Sequence, residues 1–240
     1  AKYENLQMAK KIQLNSCYGA LANQYFRWYD LNYAESITIS GQLTIRWAEK
    51  YLNEYLNTLL KTDNVDYVIA VDTDSLYVKF SDVVKKSGLY DKNKIHDMLT
   101  NLAEKKIQPY FDKTYQNLSN YMNCYKQCMN MKLEIVSDRS IFVAKKRYIA
   151  NVLSSEGVKY ETPKMKIMGI EAVRSSTPSS CRSSIKDALK IIMTKTEDDL
   201  REFIEEFRDK FKQMSFEDVA FPRSVNGLNK YKDEVSVFKK

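Results

Sequence analysis

The chain has 240 residues, of which 44% are hydrophobic, so it is long and apolar enough to bury the core of one large domain or two small ones. Its 38 basic and 31 acidic side chains leave a net charge of +7, which favours a polyanionic partner such as nucleic acid but also fits many other basic proteins. No run of about 18 apolar residues and no signal-peptide pattern occurs, so we expect a cytoplasmic protein without a membrane partner.

The first predicted elements are two helices. Residues 4–21 contain good helix formers, and residues 43–60 repeat apolar side chains at the spacing of a buried helical stripe. In the first helix, Lys11, Asn15 and Tyr18 lie at positions i, i+4 and i+7 and therefore share one face. A cation, an amide and a phenol on one face could hold a phosphate chain, orient a sugar and contact a base edge. The alternative is an ordinary solvated face with Tyr18 half packed.

Residues 67–80 are predicted to form a β-hairpin. β-branched and aromatic residues flank a central Asp-Thr-Asp-Ser, and Asp and Ser favour tight turns because their side chains bond nearby backbone groups. This prediction places the carboxylates of Asp72 and Asp74 at the hairpin tip, where oxygen ligands suit a hard divalent ion such as Mg²⁺. The alternative is that both aspartates only form the turn.

A mixed polar segment follows, with a helical stretch over residues 95–110. Strands are then predicted over residues 131–136 and 141–153, and the second strand turns at residues 154–157 into residues 158–162. These segments predict a second hairpin.

The strand predicted over residues 141–153 carries Lys145, Lys146, Arg147 and Tyr148. Alternation along a strand sends Lys146 and Tyr148 to one side and Lys145 and Arg147 to the other, so that one pair could grip a nucleic-acid strand while the other bonds locally. Residues 145–174 hold seven basic and three acidic side chains, a net +4 of the chain's +7. Three adjacent cations within a β-strand are costly without a counter-charge, so the alternative, an ordinary charged surface edge, explains them less well than a nucleic-acid contact does.

The C-terminal part predicts amphipathic helices over residues 183–194 and 198–214. Thr196 and the acidic residues that follow it predict an N-terminal cap for the second helix, with negative charge at the positive helix end. The chain after Pro222 is predicted to be turn or loop.

Three of these segments stand in the order of three motifs in family B DNA polymerases. Residues 11–19 read K-x3-N-S-x-Y-G, residues 72–75 read D-T-D-S and residues 145–148 read K-K-R-Y. Residues 15–30 and 164–178 look most like the T-even bacteriophage branch of that family. The chain thus resembles a family B DNA polymerase over nearly its whole length, although it covers only about a quarter of a member of typical size.

The resemblance implies a role for each motif residue in two-metal transfer of a nucleotide to a primer 3′ end, with Mg²⁺ as the cofactor. Asp74 would be the palm aspartate that bridges two metal ions, Asp72 its less essential neighbour, and Glu134 a further acidic residue near the metals. The other residues would contact substrates: Lys11 and Asn15 the incoming triphosphate, Tyr18 and Gly19 the nascent base pair, Lys146 and Tyr148 the primer end, with Lys145 and Arg147 in support.

The implied fold class is α+β, an antiparallel palm sheet backed by helices with a fingers helix and a partial helical thumb. By resemblance, residues 1–22 end the fingers, residues 23–170 form the palm and residues 171–240 start the thumb. The implied partners are primer–template DNA, a deoxynucleoside triphosphate, a sliding clamp and further polymerase polypeptide with the exonuclease and the first palm segment. If the protein is phage-encoded, it would work in the host cytoplasm.

The chain departs from the family pattern in two places. Val71 stands where the family usually has Gly before the first Asp of D-T-D-S. The earlier palm motif D-x-x-S-L-Y-P-S, which supplies the second main metal-binding aspartate, is absent as a separate element, and so are the exonuclease carboxylates. We therefore expect this chain alone neither to polymerise efficiently nor to proofread.

Two other functions compete with this interpretation. A non-catalytic nucleic-acid-binding module would use its basic hairpin alone, and its binding would be salt-sensitive but indifferent to Mg²⁺ and to Asp74. A calcium loop of the EF-hand type does not fit, because residues 72–74 lack the later glycine and the closing glutamate at the required spacing.

Overall fold

The structure is a computed structural model that describes residues 2–224 and 226–227. The described part contains α1 (Lys2–Leu21), α2 (Leu31–Leu60), β1 (Val68–Asp72), β2 (Ser75–Val78), α3 (Ser81–Ser87), α4 (Lys92–Leu102), α5 (Gln108–Tyr121), β3 (Ile135–Ala144), β4 (Arg147–Ser155), β5 (Val158–Met168), α6 (Ser179–Thr194), α7 (Glu197–Lys212) and α8 (Phe216–Val219). These helices and two antiparallel sheets confirm the α+β class. None of the helices in the described residues is long and apolar enough to cross a membrane.

The chain divides into two compact units, Ala1–Leu133 and Glu134–Lys240. The first contains α1 to α5 and the β1–β2 hairpin, and the second contains β3 to β5 and α6 to α8. The loop predicted after Pro222 lies mostly outside the described residues. The boundaries of fingers, palm and thumb stay predictions.

The long helix α2 begins well before residue 43, where the apolar stripe starts. Asp30 caps it, since its carboxylate accepts hydrogen bonds from the amides of Asn32 and Tyr33 at 2.9 and 3.3 Å. The first half of α2 is largely exposed and therefore shows no apolar stripe, whereas the second half is buried on one side. Only the packed half of this helix was predictable from hydrophobic spacing.

The core of the first unit lies between α2, the base of the β1–β2 hairpin and α5 together with the helical turn Ala103–Ile107 that precedes it. Asn53 on α2 ties down the chain just before β1, because its side-chain oxygen accepts a hydrogen bond from the Tyr67 amide at 2.8 Å. The hairpin therefore stands on a packed base. The buried core side chains are Ala48, Leu52, Leu56, Tyr67, Val68, Ile107, Phe111 and Tyr115.

The second unit contains an antiparallel sheet in the order β3, β4, β5. One face of this sheet packs against α6 around the buried residues Ile149, Ile170, Ala172 and Met193. Both predicted C-terminal helices are confirmed, and Thr196 forms the predicted cap of α7 as a capping box with Asp199.

Two strand predictions in the second unit are wrong in detail. The described chain is irregular from residue 131 and enters β3 only at Ile135. The single strand predicted over residues 141–153 is two strands, β3 and β4, joined by a turn at Lys145 and Lys146. Lys146 adopts the left-handed conformation with φ 61°, which ends the strand. The prediction that Lys146 and Tyr148 lie on one side of a single strand is therefore wrong. Because Lys145 and Lys146 lie in the turn, no strand carries three adjacent cations here.

Candidate functional site

The tip of the β1–β2 hairpin holds both aspartates that were predicted to bind metal. β1 ends at Asp72, which pairs with Ser75 at the start of β2, and Thr73 and Asp74 form the turn. The Ser75 hydroxyl donates to the Asp72 backbone carbonyl at 3.0 Å, and the Thr73 hydroxyl donates to the Asp72 carboxylate at 3.1 Å. These local bonds restrain Asp72, while Asp74 is exposed to solvent. The predicted acidic hairpin tip is confirmed.

The backbone of this turn is tightly bent at Thr73. Thr73 has a φ of 55°, and the Asp74 amide donates to the Asp72 carbonyl at 2.6 Å. A bond across one residue with positive φ is the pattern of the classic γ-turn, which is rare and strained. Strain of this kind persists where the surrounding structure imposes it and often occurs at functional sites. Val71, at the position where the family usually has Gly, pairs regularly with Leu76, so the departure leaves the strand pairing intact.

The acidic residues supply only part of a metal-binding set. Within residues 2–224 and 226–227, no three His, Cys, Asp or Glu side chains form a group that could hold a metal ion. Mg²⁺ is commonly held by one or two carboxylates together with waters and substrate phosphates, so Asp72 and Asp74 fit part of such a site. Glu134 is exposed just before β3 in the second unit, and its carbonyl accepts the Glu156 amide at 2.7 Å. The ten residues of β3, roughly 30 Å of strand, separate Glu134 from the turn that follows.

The predicted nucleotide-contacting residues share helix α1. Lys11, Asn15, Tyr18 and Gly19 are all exposed, and no side chain of α1 is buried in the described structure. The Tyr18 hydroxyl lies 2.9 Å from the hydroxyl of Thr38, which joins α1 to the exposed half of α2. No atom outside the helix's own backbone lies within 4 Å of the position of a Cβ at Gly19. The structure therefore confirms the shared helix and leaves the roles of these residues as predictions.

The residues of the K-K-R-Y motif occupy the β3–β4 turn and the start of β4. Lys145 and Lys146 are exposed in the turn, and Tyr148 is buried on β4 with its ring stacked on Phe142, the two centroids 5.3 Å apart. Arg147 donates hydrogen bonds to both carboxylate oxygens of Glu171, with its Nη2 atom 2.5 Å from each. The motif thus separates into two exposed lysines, one ion-paired arginine and one packed tyrosine.

The electrostatics of Glu171 favour its charged form. A hydrogen bond from its own backbone amide lowers the pKa of the Glu171 carboxyl most; burial, the next largest effect, raises it, and the charges of Arg147 and Arg174 lower it further, so that the net shift is downward. The carboxylate is therefore ionised throughout the neutral range and remains available to Arg147.

The sheet face that carries Tyr148 also carries two lysines of β5. Ala150 pairs with Lys166 and Val152 pairs with Lys164, and these pairs share the face of Tyr148 because side chains alternate along each strand. Lys164 Nζ lies 4.1 Å from the ring centroid of Tyr160, a cation–π contact. The other face packs on α6.

Sequence reasoning did not connect Lys164, Lys166 and Glu171 with the residues of the K-K-R-Y motif. The spacing Lys164-x-Lys166 signals that both lysines share a strand face, but only the register with β4 shows that this is the face of Tyr148. Glu171 lies 24 residues from its partner Arg147, and no local pattern connects the two.

Comparison with known proteins gives a consistent family. The sequence model described as DNA polymerase family B matches residues 1–119 and 116–224. The chain is similar to the DNA-directed DNA polymerase of Enterobacteria phage T4, with 35% identity over 239 residues that make up 95% of this chain and 27% of the phage protein. It is similar to the DNA-directed DNA polymerase of Escherichia phage RB69, with 36% identity over 94% of this chain and 26% of that protein.

A more distant relative is DNA polymerase 1 of Aeropyrum pernix, 26% identical over 86% of this chain and 17% of that protein. The chain spans about a quarter of the length of the two phage relatives. The family match runs through both compact units, from the helix with K-x3-N-S-x-Y-G to the end of α8. The chain therefore belongs to DNA polymerase family B.

Proposed function

We propose that this chain is part of a DNA-directed DNA polymerase that adds nucleotides to a primer 3′ end with Mg²⁺ as its cofactor. The observation that carries the proposal is the pair Asp72 and Asp74 at the tip of a packed hairpin, in a chain of family B. Carboxylates at the end of a paired strand or in the two-residue turn that follows it hold their position better than carboxylates on a free loop, and a metal-assisted reaction requires fixed ligands.

The acidic tip would provide ligands from this chain for the metal. Bound Mg²⁺ would lower the charge on the attacking primer oxygen and on the leaving pyrophosphate. Asp74 would be the exposed ligand, and Asp72, restrained by Thr73 and Ser75, its neighbour. Because no group of three His, Cys, Asp or Glu side chains that could hold a metal ion occurs in the described residues, the remaining ligands would come from substrate phosphates and from polypeptide outside this sequence; Glu134 is kept as a further acidic residue on the family resemblance alone.

Helix α1 would contact the incoming nucleotide. Lys11 and Asn15 would meet the triphosphate, where a cation stabilises the developing negative charge, and Tyr18 and Gly19 would lie against the nascent base pair. The exposure of all four residues on one helix supports this assignment. The hydroxyl contact between Tyr18 and Thr38 gives the base-pair end of the helix a support from α2.

The basic sheet face and the turn beside it would hold the primer–template duplex. Lys145 and Lys146 are exposed on the turn, and Lys164 and Lys166 extend the positive charge along β5 on the face of Tyr148. Contacts to phosphates and to acceptors shared by all base pairs bind DNA without reading its sequence, as a copying enzyme requires.

The complete enzyme would need more polypeptide than this chain. We assign residues 1–22 to the end of the fingers, residues 23–170 to the palm and residues 171–240 to the start of the thumb. The partners would be the N-terminal polymerase part with the exonuclease and the first palm segment, together with a sliding clamp, and the site of action of a phage enzyme would be the host cytoplasm. Without that polypeptide, we expect this chain neither to extend primers efficiently nor to proofread.

A complementation assay tests the proposal. The chain would be co-expressed with the N-terminal part of a T4-type polymerase, and primer extension would be measured with Mg²⁺ and all four nucleotides. We expect Asp74→Ala to abolish extension, Asp72→Ala to reduce it less, and Asp63→Ala, which removes an exposed loop aspartate of the same unit, to leave it unchanged. Full extension by Asp74→Ala would refute the proposed role of the hairpin.

One observation favours a second candidate function, that of a non-catalytic DNA-binding module. The basic face and its turn are assembled within the second unit alone, whereas the metal ligands of the described residues are incomplete. Such a module would bind duplex DNA with the same affinity in EDTA as in Mg²⁺, and Asp74→Ala would have no effect in any assay. Mg²⁺-dependent extension in the complemented enzyme would exclude it.

A further inference from the structure

The Lys145–Lys146 turn has a backbone conformation that its own residues do not favour. Lys146 has a φ of 61°, a region that a side chain with a Cβ rarely occupies and that usually requires Gly, Asn or Asp. Neither residue of the turn is one of these, so contacts from outside the turn would stabilise this backbone. Two residues from the segment after β5 contact the turn or the residue that follows it.

Gly169 lies directly against the turn. Its φ is 65°, and a Cβ built on it would overlap the backbone carbonyl oxygen of Lys146 and lie 3.1 Å from Cγ of Arg147. A Cβ on Gly19, Gly41, Gly88 or Gly157 would, by contrast, have no neighbour within 4 Å. The missing side chain at Gly169 is therefore what allows the backbone of the turn to approach.

Glu171 holds the turn from its C-terminal side. Arg147 is the first residue of β4, and its Nη2 atom lies 2.5 Å from both carboxylate oxygens of Glu171. Glu171 itself stands between Ile170 and Ala172, which are 7% and 0% exposed in the core of the second unit. The backbone that carries Glu171 is therefore held by the core. Through the ion pair, the Glu171 carboxylate restrains Arg147, the first residue after the turn.

We propose that Glu171 and Gly169 are positioning residues for the Lys145–Lys146 turn: they hold its two lysines in the arrangement that grips the DNA backbone. Neither residue contacts DNA in this proposal; each acts through the backbone next to Lys146. The inference rests on the proposed function for its DNA ligand, but the restraint on the turn is a property of the protein alone. The two parts can therefore be measured separately.

The direct test replaces the carboxylate of Glu171 with a neutral amide. Glu171→Gln adds one net positive charge, so a purely electrostatic role predicts tighter binding to DNA. A positioning role predicts the opposite: faster amide hydrogen exchange at residues 145–149 and about three- to tenfold weaker affinity for a fluorescent primer–template duplex of mixed sequence. Glu161→Gln is the matched control, because it makes the same charge change at an exposed residue of β5 and should leave the exchange of the turn unchanged.

A second pair of variants tests Gly169. Gly169→Ala and Gly157→Ala both place a Cβ on a residue with positive φ, 65° and 80° respectively, so both incur a similar backbone penalty. Only Gly169→Ala also forces the Lys146 carbonyl away. We expect Gly169→Ala to speed exchange at the turn and to weaken duplex binding, and Gly157→Ala to do neither. Circular dichroism spectra of all four variants would establish that the sheet is folded.

A charge swap separates positioning from loss of fold. Arg147→Glu and Glu171→Arg each break the ion pair, whereas the double variant restores it in reverse, so exchange protection of the turn should recover in the double variant. Unchanged exchange in Glu171→Gln, or a gain in affinity equal to that of Glu161→Gln, would overturn the positioning role. Unchanged affinity in Lys146→Ala would instead overturn the DNA contact, and a loosened turn in Glu171→Gln would then still support the restraint.

Discussion

The indole N–H of Trp47 on α2 donates a hydrogen bond to the backbone carbonyl of Thr114 on α5, with 3.0 Å between the two atoms. The Thr114 hydroxyl in turn donates to the Phe111 carbonyl at 3.0 Å within α5. The bond from Trp47 joins α2 to α5 at one end of the core against which the acidic hairpin packs. The position of the hairpin tip therefore depends on side chains that are distant in sequence from Asp74.

The hairpin support can be weakened by a cavity in this core. Leu56 is fully buried, and Leu56→Ala should lower the free energy of unfolding by about 2–5 kcal/mol, because buried contacts are lost and the cavity is only partly refilled. Urea unfolding measured by circular dichroism checks this. Leu59→Ala is the control, since Leu59 is 41% exposed on the same helix and should lose much less. Equal losses for the two variants would contradict the assigned core.

The exposed turn lysine should contribute to DNA binding without sequence preference. Lys146→Ala should weaken binding to duplexes of any sequence and reduce the slope of log K against log salt concentration by about one, because one phosphate contact is lost. Fluorescence anisotropy over a range of salt concentrations measures both quantities. Lys85→Ala removes the same charge from an exposed residue of α3 and should leave the slope unchanged. A loss confined to particular sequences would argue against a backbone contact.

Burial of Tyr115 predicts a loss of stability at high pH. Burial raises the pKa of the Tyr115 hydroxyl from 10.0 to about 12, so the unfolded chain releases this proton at lower pH than the folded protein. The contribution of neutral Tyr115 to the free energy of unfolding is fully present below pH 10 and is lost as the pH rises towards 12. By pH 11 the free energy of unfolding is lower by about 1.4 kcal/mol.

Urea unfolding at pH 9 and pH 11 would measure the Tyr115 effect. The decrease in unfolding free energy between these two values should be smaller in Tyr115→Phe than in the wild type. Tyr125→Phe is the control, because Tyr125 is fully exposed and its removal should leave the decrease unchanged. The same decrease in all three proteins would contradict the prediction.

The cap of α7 predicts a loss of stability at low pH. The Thr196 hydroxyl and then the Thr196 amide lower the pKa of the Asp199 carboxyl by hydrogen bonding. Stability from this carboxylate is present above the usual aspartate range and is lost as the pH falls below it. Thr196→Ala should cost about 1 kcal/mol at neutral pH.

Thermal unfolding between neutral and acid pH would test the cap. Asp199→Asn should lower the melting temperature at neutral pH, and its difference from the wild type should shrink as the pH falls. Asp198→Asn changes an exposed aspartate of the same first turn that makes no cap bond and should show a smaller difference. A difference that stays constant with pH would contradict the role of Asp199.

The sequence determined those parts of the protein that depend on nearby residues. Spacings of a few residues predicted three features: the face shared by Lys11, Asn15 and Tyr18, the acidic hairpin tip, and the cap at Thr196. The family could likewise be identified from three short motifs. Such features depend on neighbouring residues: helix periodicity, strand pairing across a short turn and side-chain caps all involve residues a few positions apart along the chain. For this reason they could be predicted without tertiary structure.

The tertiary structure decided what depends on residues far apart. The turn at Lys145 and Lys146 has no turn-forming residue of its own, and the residues that contact it or its first strand residue, Gly169 and Glu171, are more than 20 residues away in sequence. The register between β4 and β5, and not any local pattern, brings Lys164 and Lys166 to the face of Tyr148. Contacts of this range form only when the sheet is assembled. The energy of that assembly offsets two local costs, the left-handed backbone at Lys146 and the repulsion between Lys164 and Lys166.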